Sequence, residues 1–260
     1  MAKNNQAKLF DGGKSDSSGY SAKDIEVLEG LEPVRKRPGM YIGGTDERAY
    51  HHLFAEVLDN CVDEAVAGHA SRIDVSLDAD GMLTVRDDGR GIPIDAHPKF
   101  KTKSALEVIM TMLHSGGKFS GKAYATSGGL HGVGISVVNA LSSRLVVEVA
   151  RGRELFRQSF SRGHKTSELE ALGAVQSRRG TSVAFLPDTE IFGPDARFKP
   201  ARLCRLARSK AYLFRGVEIR WKCDPALIHD DTPASAVFQF PGGLADHLRE
   251  QLGDRDLVSP

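Results

Sequence analysis

Four polar side chains fall at helical spacing on one face of a single predicted helix. They are Glu56, Asp59, Asn60 and Asp63, and apolar residues cover most of the remaining circumference. Carboxylates held this close repel one another and lose hydration unless a cation, a hydrogen-bond network or water supports them. The stripe therefore indicates a divalent metal or a wet cavity, although the solvated face of a surface helix would show the same pattern.

A second candidate segment, Asp87-Asp88-Gly89-Arg90-Gly91-Ile92-Pro93, directly follows a predicted strand. Glycines at alternate positions allow the backbone to approach a flat ligand, and an aspartate at a strand end can accept a hydrogen bond from an amino group. An ordinary turn would have a similar composition. This segment alone leaves both interpretations open.

The third candidate segment, Ser127-Gly128-Gly129-Leu130-His131-Gly132-Val133-Gly134, leads directly into a predicted apolar helix. Unobstructed backbone N–H groups at a helix N-terminus are a common way to hold phosphates. A glycine-rich linker is the alternative. Two other phosphate-binding motifs are excluded by spacing: Gly117-Lys118 and Gly121-Lys122 lack the Ser or Thr of a P-loop, and no Gly-x-Gly-x-x-Gly occurs.

These residues need a scaffold of helices packed on a sheet. A helical pattern runs from Asp46 to Gly68 and is followed by two alternating segments that form a hairpin. The fold class is therefore α+β, with one mixed or antiparallel sheet and helices on one face. We predict helices over 46–68, 104–113, 133–141, 200–214 and after 243, and strands over 72–77, 82–86, 145–149, 155–160, 182–185, 217–221 and 236–240.

Composition narrows the class of protein. Of the 260 residues 40% are hydrophobic and 27% charged, which is typical of a globular chain and excludes a disordered one. Lys+Arg 35 against Asp+Glu 34 gives a net charge of +1, so any DNA contact must come from a local patch. The predicted helix 200–214 is such a patch, because Lys199 to Arg215 contains no acidic residue. It is either a DNA-facing surface or a solvated face.

The ends and the cysteines add little chemistry. Residues 1–19 are polar and are predicted to form a mobile arm. No apolar segment is long enough for a membrane span or a signal peptide, so we expect a cytoplasmic protein with no membrane contact. Cys61, Cys204 and Cys223 are too few and too scattered for a disulfide framework, and we expect buried thiols.

The candidate segments together carry a family resemblance. In chain order, Glu56-x-x-x-Asn60, Asp87-x-Gly89-x-Gly91, Gly129-x-x-Gly132-x-Gly134 and Gly180-Thr181 resemble the four boxes of the GHKL ATPase superfamily, which has the Bergerat sandwich fold. Two further segments, Val34–Ile42 and Ser127–Leu141, resemble the B subunit of bacterial type IIA topoisomerases. Gyrases tend to have Lys two residues before that serine. This chain has Ala125, which favours the other branch of the group.

The resemblance implies a role for each matched residue. Glu56 is expected to be the general base that activates water against the γ-phosphate of ATP, and Asn60 to bind Mg²⁺. Asp87 and Thr181 are expected to bind adenine. Glu64 and Arg90 are expected to pair and hold the glycine turn at the pocket rim, together with Ile92, Pro93 and Arg151. The other ATP-binding residues implied are Tyr20, Ile25, Gly91, Lys118, Gly128, Gly129, Leu130, His131, Gly132, Val133 and Gly134.

The same resemblance implies partners and domain limits. An arm at 1–19, an ATP-binding domain at 20–240 and a helix at 241–260 are expected, and the family's transducer and DNA-cleavage domains would follow. We therefore expect a largely monomeric ATPase portion with low activity alone. The expected partners are the topoisomerase's A subunit in a heterotetramer, a second B subunit on ATP binding, DNA during strand passage, and aminocoumarin inhibitors near Arg151.

Two other function classes use the same nucleotide fold. Histidine protein kinases are phosphotransferases, but they lack a water-activating glutamate four residues before the asparagine, which this chain has in Glu56. ATP-gated clamps, such as chaperones and mismatch-repair proteins, differ by lacking a segment like Val34–Ile42. Both remain alternatives to the topoisomerase interpretation.

Overall fold

The computed structural model describes residues 27–115, 133–253 and 255. Helices and strands alternate irregularly along the chain, as the predicted α+β class requires. The helices are α1 Glu32–Lys36, α2 Gly39–Ile42, α3 Glu47–Val66, α4 Ala105–Thr111, α5 Gly134–Ala140, α6 Thr189–Phe192, α7 Pro200–Leu213 and α8 Leu244–Leu252. The strands are β1 Arg72–Leu77, β2 Leu83–Asp87, β3 Ala96–His97, β4 Phe100–Ser104, β5 Ser142–Arg151, β6 Glu154–Ser161, β7 His164–Lys165, β8 Glu170–Ala174, β9 Gly180–Pro187, β10 Glu218–Cys223 and β11 Ser235–Phe238.

One mixed sheet forms the centre of the molecule. Its strand order is β11-β10-β1-β2-β9-β5-β6-β7, and β8 also pairs with β6. Among these pairs β1 and β10 run parallel, and the others are antiparallel. Strands β3 and β4 form a separate hairpin. The long helices α3 and α7 and the shorter α5 cover the face of the sheet that carries its buried side chains.

Helix α3 is the element that carries the polar stripe. Asp46 begins it, because its side chain accepts a hydrogen bond from the backbone N–H of Ala49 at 2.9 Å. Leu53, Phe54 and Leu58 are fully buried against the sheet. This apolar packing leaves Glu56, Asp59 and Asn60 partly exposed on another side of the helix, whereas Asp63 is buried.

Helix α7 is held against α3 by a buried histidine. The His51 Nδ1–H donates to the Glu47 carbonyl at 2.8 Å, and its Nε2 accepts from the backbone N–H of Lys199 at 2.8 Å. Burial lowers the pKa of His51, so its neutral form is favoured. The start of α7 is thereby fixed relative to the first turn of α3.

The predicted fold class is confirmed, and the structure adds elements that the pattern did not indicate. The short helices α1, α2 and α6, the hairpin β3–β4 and the strands β7 and β8 were not predicted. Every residue of β8 is exposed, so it lacks the alternation that indicates a half-buried strand. The three cysteines are free and buried, as expected. No helix in the described part of the chain is long and apolar enough to cross a membrane.

Candidate functional site

Asp87 is buried at the C-terminal end of the central strand β2. Asp87 is only 4% exposed. Its Oδ1 accepts hydrogen bonds from the backbone N–H groups of Gly89 at 2.8 Å and Thr181 at 3.3 Å. Burial raises the pKa of Asp87 to about 6, although both hydrogen bonds act in the opposite direction. A buried carboxylate of this kind is suited to accept a hydrogen bond from a ligand.

Two glycines allow the chain to close around this carboxylate. Gly180 has a φ of +98°, and a Cβ at this position would lie 2.1 Å from the carbonyl oxygen of Asp87. Gly91 has a φ of +76°, and a Cβ there would lie 3.0 Å from Val149. The Thr181 hydroxyl accepts from the backbone N–H of Ile92 at 3.1 Å. The structure thus brings the second and fourth sequence boxes together at the ends of β2 and β9.

The turn that follows Asp87 is held by charged side chains. Glu64 and Arg90 form the expected ion pair at 2.7 Å, and Glu64 also accepts from the Arg90 backbone N–H at 3.2 Å. Arg151 donates to the carbonyl of Gly91 at 2.8 Å, so it supports the same turn from β5. Ile92 is half-buried and packs against the core, whereas Pro93 is exposed.

Glu56 lies on α3 next to the start of α5. A Cβ at Gly134 would lie 1.8 Å from Glu56 Oε2, so the backbone of Gly134 is packed directly against the carboxyl group. On the other side, His52 Nε2 lies 3.2 Å from Glu56 Oε1. The hydrogen bond to Glu56 raises the pKa of His52. Sequence reasoning missed His52, although its position four residues before Glu56 on the same helix could have indicated the contact.

The polar stripe of α3 is divided between several partners. Asp59 pairs with Lys210 of α7 at 2.5 Å, and Asn60 Nδ2 donates to the backbone carbonyl of Glu56 at 3.0 Å. Asp63 is buried. Among the described residues no group of three or more His, Cys, Asp or Glu side chains is arranged to hold a metal ion. A metal here would therefore need ligands other than a protein carboxylate cluster.

The basic segment around α7 is mostly paired within the protein. Lys199 and Arg202 both pair with Glu47 at 2.5 Å, and Arg208 pairs with Glu250. Together with Lys210, four of the six cations that the sequence grouped in this segment thus have acidic partners from α3 or α8. These pairs favour the solvated-face interpretation over a DNA-facing patch.

Several predicted site residues cannot be placed. Val133 precedes α5 and Gly134 is its first residue. The arm at 1–19 and most of the glycine-rich loop lie outside the residues that the structure describes. The same is true of Tyr20, Ile25, Lys118, Gly128, Gly129, Leu130, His131 and Gly132.

Known proteins resemble this chain in sequence and in structure. The family model "Histidine kinase-, DNA gyrase B-, and HSP90-like ATPase" matches residues 45–191, more than half of the chain. The DNA topoisomerase 4 B subunit of Caulobacter vibrioides is 66% identical over 241 residues, which are 93% of this chain and 34% of that protein. The corresponding protein of Bartonella bacilliformis is 62% identical over 95% of this chain and 36% of its own length. The chain therefore spans about a third of these relatives.

A gyrase B protein is also similar to this chain, at lower identity than the two proteins above. The DNA gyrase B subunit of Thermus thermophilus is 56% identical over 92% of this chain and 37% of its own length. A crystal structure of the 43K ATPase domain of Thermus thermophilus gyrase B, in complex with an aminocoumarin, has a TM-score of 0.76 and 44% identity. That alignment covers 88% of this chain and 57% of the other.

Proposed function

The chain belongs to the histidine kinase-, DNA gyrase B- and HSP90-like ATPase family, and on this basis we propose that it binds and hydrolyses ATP at the site between Asp87 and Glu56. The observation that carries the proposal is the Glu56 carboxylate, packed against the backbone of Gly134 with His52 behind it. Gly134 is the first residue of α5, so the carboxylate lies beside a helix N-terminus, where backbone N–H groups can hold phosphates.

Adenine recognition is assigned to the buried end of β2. Asp87 would accept a hydrogen bond from the adenine amino group, because its carboxylate is desolvated and fixed by two backbone donors. Thr181 and Gly91 would line the same pocket, with Ile92, Pro93, Glu64, Arg90 and Arg151 at its rim. This arrangement selects a base that presents an amino group.

Hydrolysis is assigned to Glu56. Glu56 would take a proton from the water that attacks the γ-phosphorus, and the bond to the bridging oxygen of ADP would break. His52 would hold the carboxylate in place through its other oxygen. A general base of this kind contributes a factor of about 10²–10⁴ to the rate. Glu56 also argues for water as the acceptor, and against a phosphotransferase.

Phosphate binding is assigned to the segment before α5. We propose that the backbone of Gly128, Gly129, Leu130, His131, Gly132, Val133 and Gly134, with Lys118, binds the phosphates. Tyr20 and Ile25 would contact the nucleotide of a second copy of the chain. The domain limits at 20–240 and 241–260 are part of the same proposal.

On the polar face of α3, Asn60 is a suitable ligand for Mg²⁺. The Asn60 amide donates through Nδ2 to the Glu56 carbonyl, which orients the side chain. Its amide oxygen is a ligand type that Mg²⁺ accepts, and Mg²⁺ commonly takes one or two protein ligands plus phosphate oxygens and water. When bound, Mg²⁺ would neutralise phosphate charge. Asn60 would hold it beside Glu56.

At the level of the whole protein, we propose the B subunit of DNA topoisomerase IV. The identity of 66% to a topoisomerase 4 protein against 56% to a gyrase, together with Ala125, supports this branch over gyrase B. ATP binding would drive dimerisation and DNA strand passage for decatenation and relaxation, together with the A subunit. Aminocoumarins would bind near Arg151, and the similar Thermus thermophilus domain is known in complex with an aminocoumarin.

The test is a single-turnover assay with γ-labelled ATP and Mg²⁺. We expect the label to be released as inorganic phosphate, with no labelled protein. Label transferred to a histidine would support the phosphotransferase alternative and contradict the proposal. Decatenation of linked DNA circles by the complete B subunit together with the A subunit, without ATP-dependent negative supercoiling, would separate topoisomerase IV from gyrase.

A further inference from the structure

The C-terminal end of α5 is held by groups from three other segments. The guanidinium of Arg35, in α1, donates through Nη1 to the carbonyl of Ala140 at 2.8 Å. The neighbouring carbonyls accept backbone N–H groups of Gly163 at 3.1 Å and Asp188 at 2.8 Å. The last carbonyls of a helix have no partner inside the helix, so these three contacts fix where α5 ends. Arg35 supplies the side-chain contact among these three, and Ser142 Oγ donates to the Val138 carbonyl one turn earlier at 2.6 Å.

A fully buried carboxylate fixes the orientation of Arg35. The Asp188 side chain is 0% exposed, and its Oδ2 lies 2.9 Å from Arg35 Nη2. Arg162 also pairs with Asp188 at 2.9 Å, and both arginines pair with Glu190. A planar guanidinium can donate to two acceptors at once in fixed directions. Arg35 uses this geometry to connect Asp188 with the end of α5, whereas the side-chain contacts of Arg162 lie on the two acids.

The opposite end of α5 contacts the proposed base. Its seven residues span about 10 Å at 1.5 Å per residue, and the first of them, Gly134, is packed against Glu56. No residue from Gly134 to Ala140 is charged. The position of the helix therefore depends on apolar packing, on the hydrogen bond that the Asn139 side chain donates to the Met110 carbonyl at 2.8 Å, and on the contacts at its two ends.

We propose that Arg35 is a positioning residue for ATP hydrolysis. By holding the Ala140 carbonyl, Arg35 fixes the axis of α5 and keeps the backbone of Gly134 in register with Glu56. This inference rests on the proposed ATPase function. Arg35 lies in the Val34–Ile42 segment, and none of the residues assigned to nucleotide binding lies there. The proposal thus gives this segment a role in the reaction.

Arg35→Gln tests the proposal, with Arg162→Gln as the matched control. Both variants remove one arginine from Asp188 and Glu190, but only the first removes a contact to α5. We expect Arg35→Gln to lower the single-turnover rate of ATP hydrolysis at least about tenfold, with analogue affinity within about threefold of wild type. Arg162→Gln should stay within about twofold in rate. Arg35→Lys keeps a cation beside Asp188, and it should fold normally and have an intermediate rate.

Amide hydrogen exchange of the nucleotide-free protein supplies a readout independent of catalysis. Exchange in α5 should be faster in Arg35→Gln than in Arg162→Gln at equal thermal stability. Unchanged α5 exchange, or an equal loss of rate in the two variants, would overturn the positioning role even in an active enzyme. A wild-type protein that binds ATP but never hydrolyses it would overturn the proposed function and the role of Arg35 with it.

Discussion

Asp87 and Glu56 are the two carboxylates of the proposed ATP site, and the fold holds them in different ways. Asp87 is 4% exposed at the end of a central strand, and the backbone N–H groups of Gly89, after that strand, and of Thr181, in β9, bind it. Glu56 is partly exposed on a helix, and its partner is the side chain of His52. Backbone donors cannot change rotamer, whereas a side-chain partner can move with the group that it orients.

This difference matches what each group would have to do. A residue that recognises a base works best when its position and its desolvation are fixed before the ligand arrives. A general base needs access to water and has to gain and lose a proton in each cycle. The proposed adenine side of the site is built from strand ends and glycine turns, and the proposed phosphate side from helices whose side chains pair with one another.

The largest change in rate is expected for Glu56→Gln, which tests the base role of the helix carboxylate. The amide keeps the size of the side chain but cannot take a proton, so the single-turnover rate of hydrolysis should fall by about 10²–10⁴. The affinity for a non-hydrolysable ATP analogue, measured by calorimetry, should stay within about twofold. Asp59→Asn is the control, because Asp59 lies in the same stripe but pairs with Lys210. Hydrolysis by Glu56→Gln within about twofold of wild type would exclude the base role.

The second largest effect is expected for Asp87→Asn, and it should be on binding. An amide at this position presents donors toward the adenine amino group, and such a buried mismatch costs about 1–3 kcal/mol, or about 5–150-fold in affinity. Asp88→Asn is the matched control, because Asp88 accepts from the Ser71 and Arg72 backbone instead. Equal analogue affinity of Asp87→Asn and wild type would mean that Asp87 is only a turn residue.

Much of this site could be predicted from the sequence because its signals are local. The spacing of Glu56 and Asn60, the strand that ends at Asp87 and the pair Gly180-Thr181 each lie within one segment. Helix α3 and the hairpin β1–β2 have strong apolar periodicity, so their limits were predicted to within one or two residues.

What the sequence did not indicate depends on contacts between distant segments. Lys210 reaches Asp59, and Arg35 reaches Asp188, only after the sheet has brought α7 and the end of β9 beside α3 and α1. The strand β8 was missed because its exposed residues, Glu170–Ala174, follow no pattern of burial. His52 was missed for another reason: the stripe was identified from carboxylates and an amide, and histidine was not considered as their partner.

A smaller effect, on pH dependence, should distinguish the two carboxylates again. Burial raises the pKa of Asp87 from its ordinary value to about 6. The protonated form is thus favoured in the free protein below about pH 6, and its hydroxyl is a donor, so we expect the adenine amino group to bind the ionised form, in which both oxygens accept. Analogue affinity should therefore fall about tenfold per pH unit below the pKa of Asp87.

Asp87→Asn provides the reference for this measurement. The phosphates of the nucleotide titrate in the same range, and that contribution is common to the two proteins. The ratio of wild-type to Asp87→Asn affinity should be constant from pH 7 to 8 and should decrease from pH 6 to 5. A ratio that does not change over the whole range would show that Asp87 stays ionised despite its burial.

The smallest effect is expected at the rim, where Glu64 and Arg90 pair. Arg90 is partly exposed, and exposed ion pairs typically contribute about 0–1 kcal/mol, so Glu64→Gln should weaken analogue binding no more than about fivefold. The effect should not be zero, because Glu64 also accepts from the backbone N–H of Arg90 and thereby holds the turn next to Asp87.

Glu148→Gln is the control for the Glu64 variant. Glu148 is similarly buried and binds Arg157 and Arg178, but it lies on the face of the sheet opposite to Val149 and the pocket. Calorimetry should give wild-type affinity for Glu148→Gln and a two- to fivefold loss for Glu64→Gln, within the range of about 0–1 kcal/mol. A loss as large as that of Asp87→Asn would show that the rim, and not the buried carboxylate, determines nucleotide affinity.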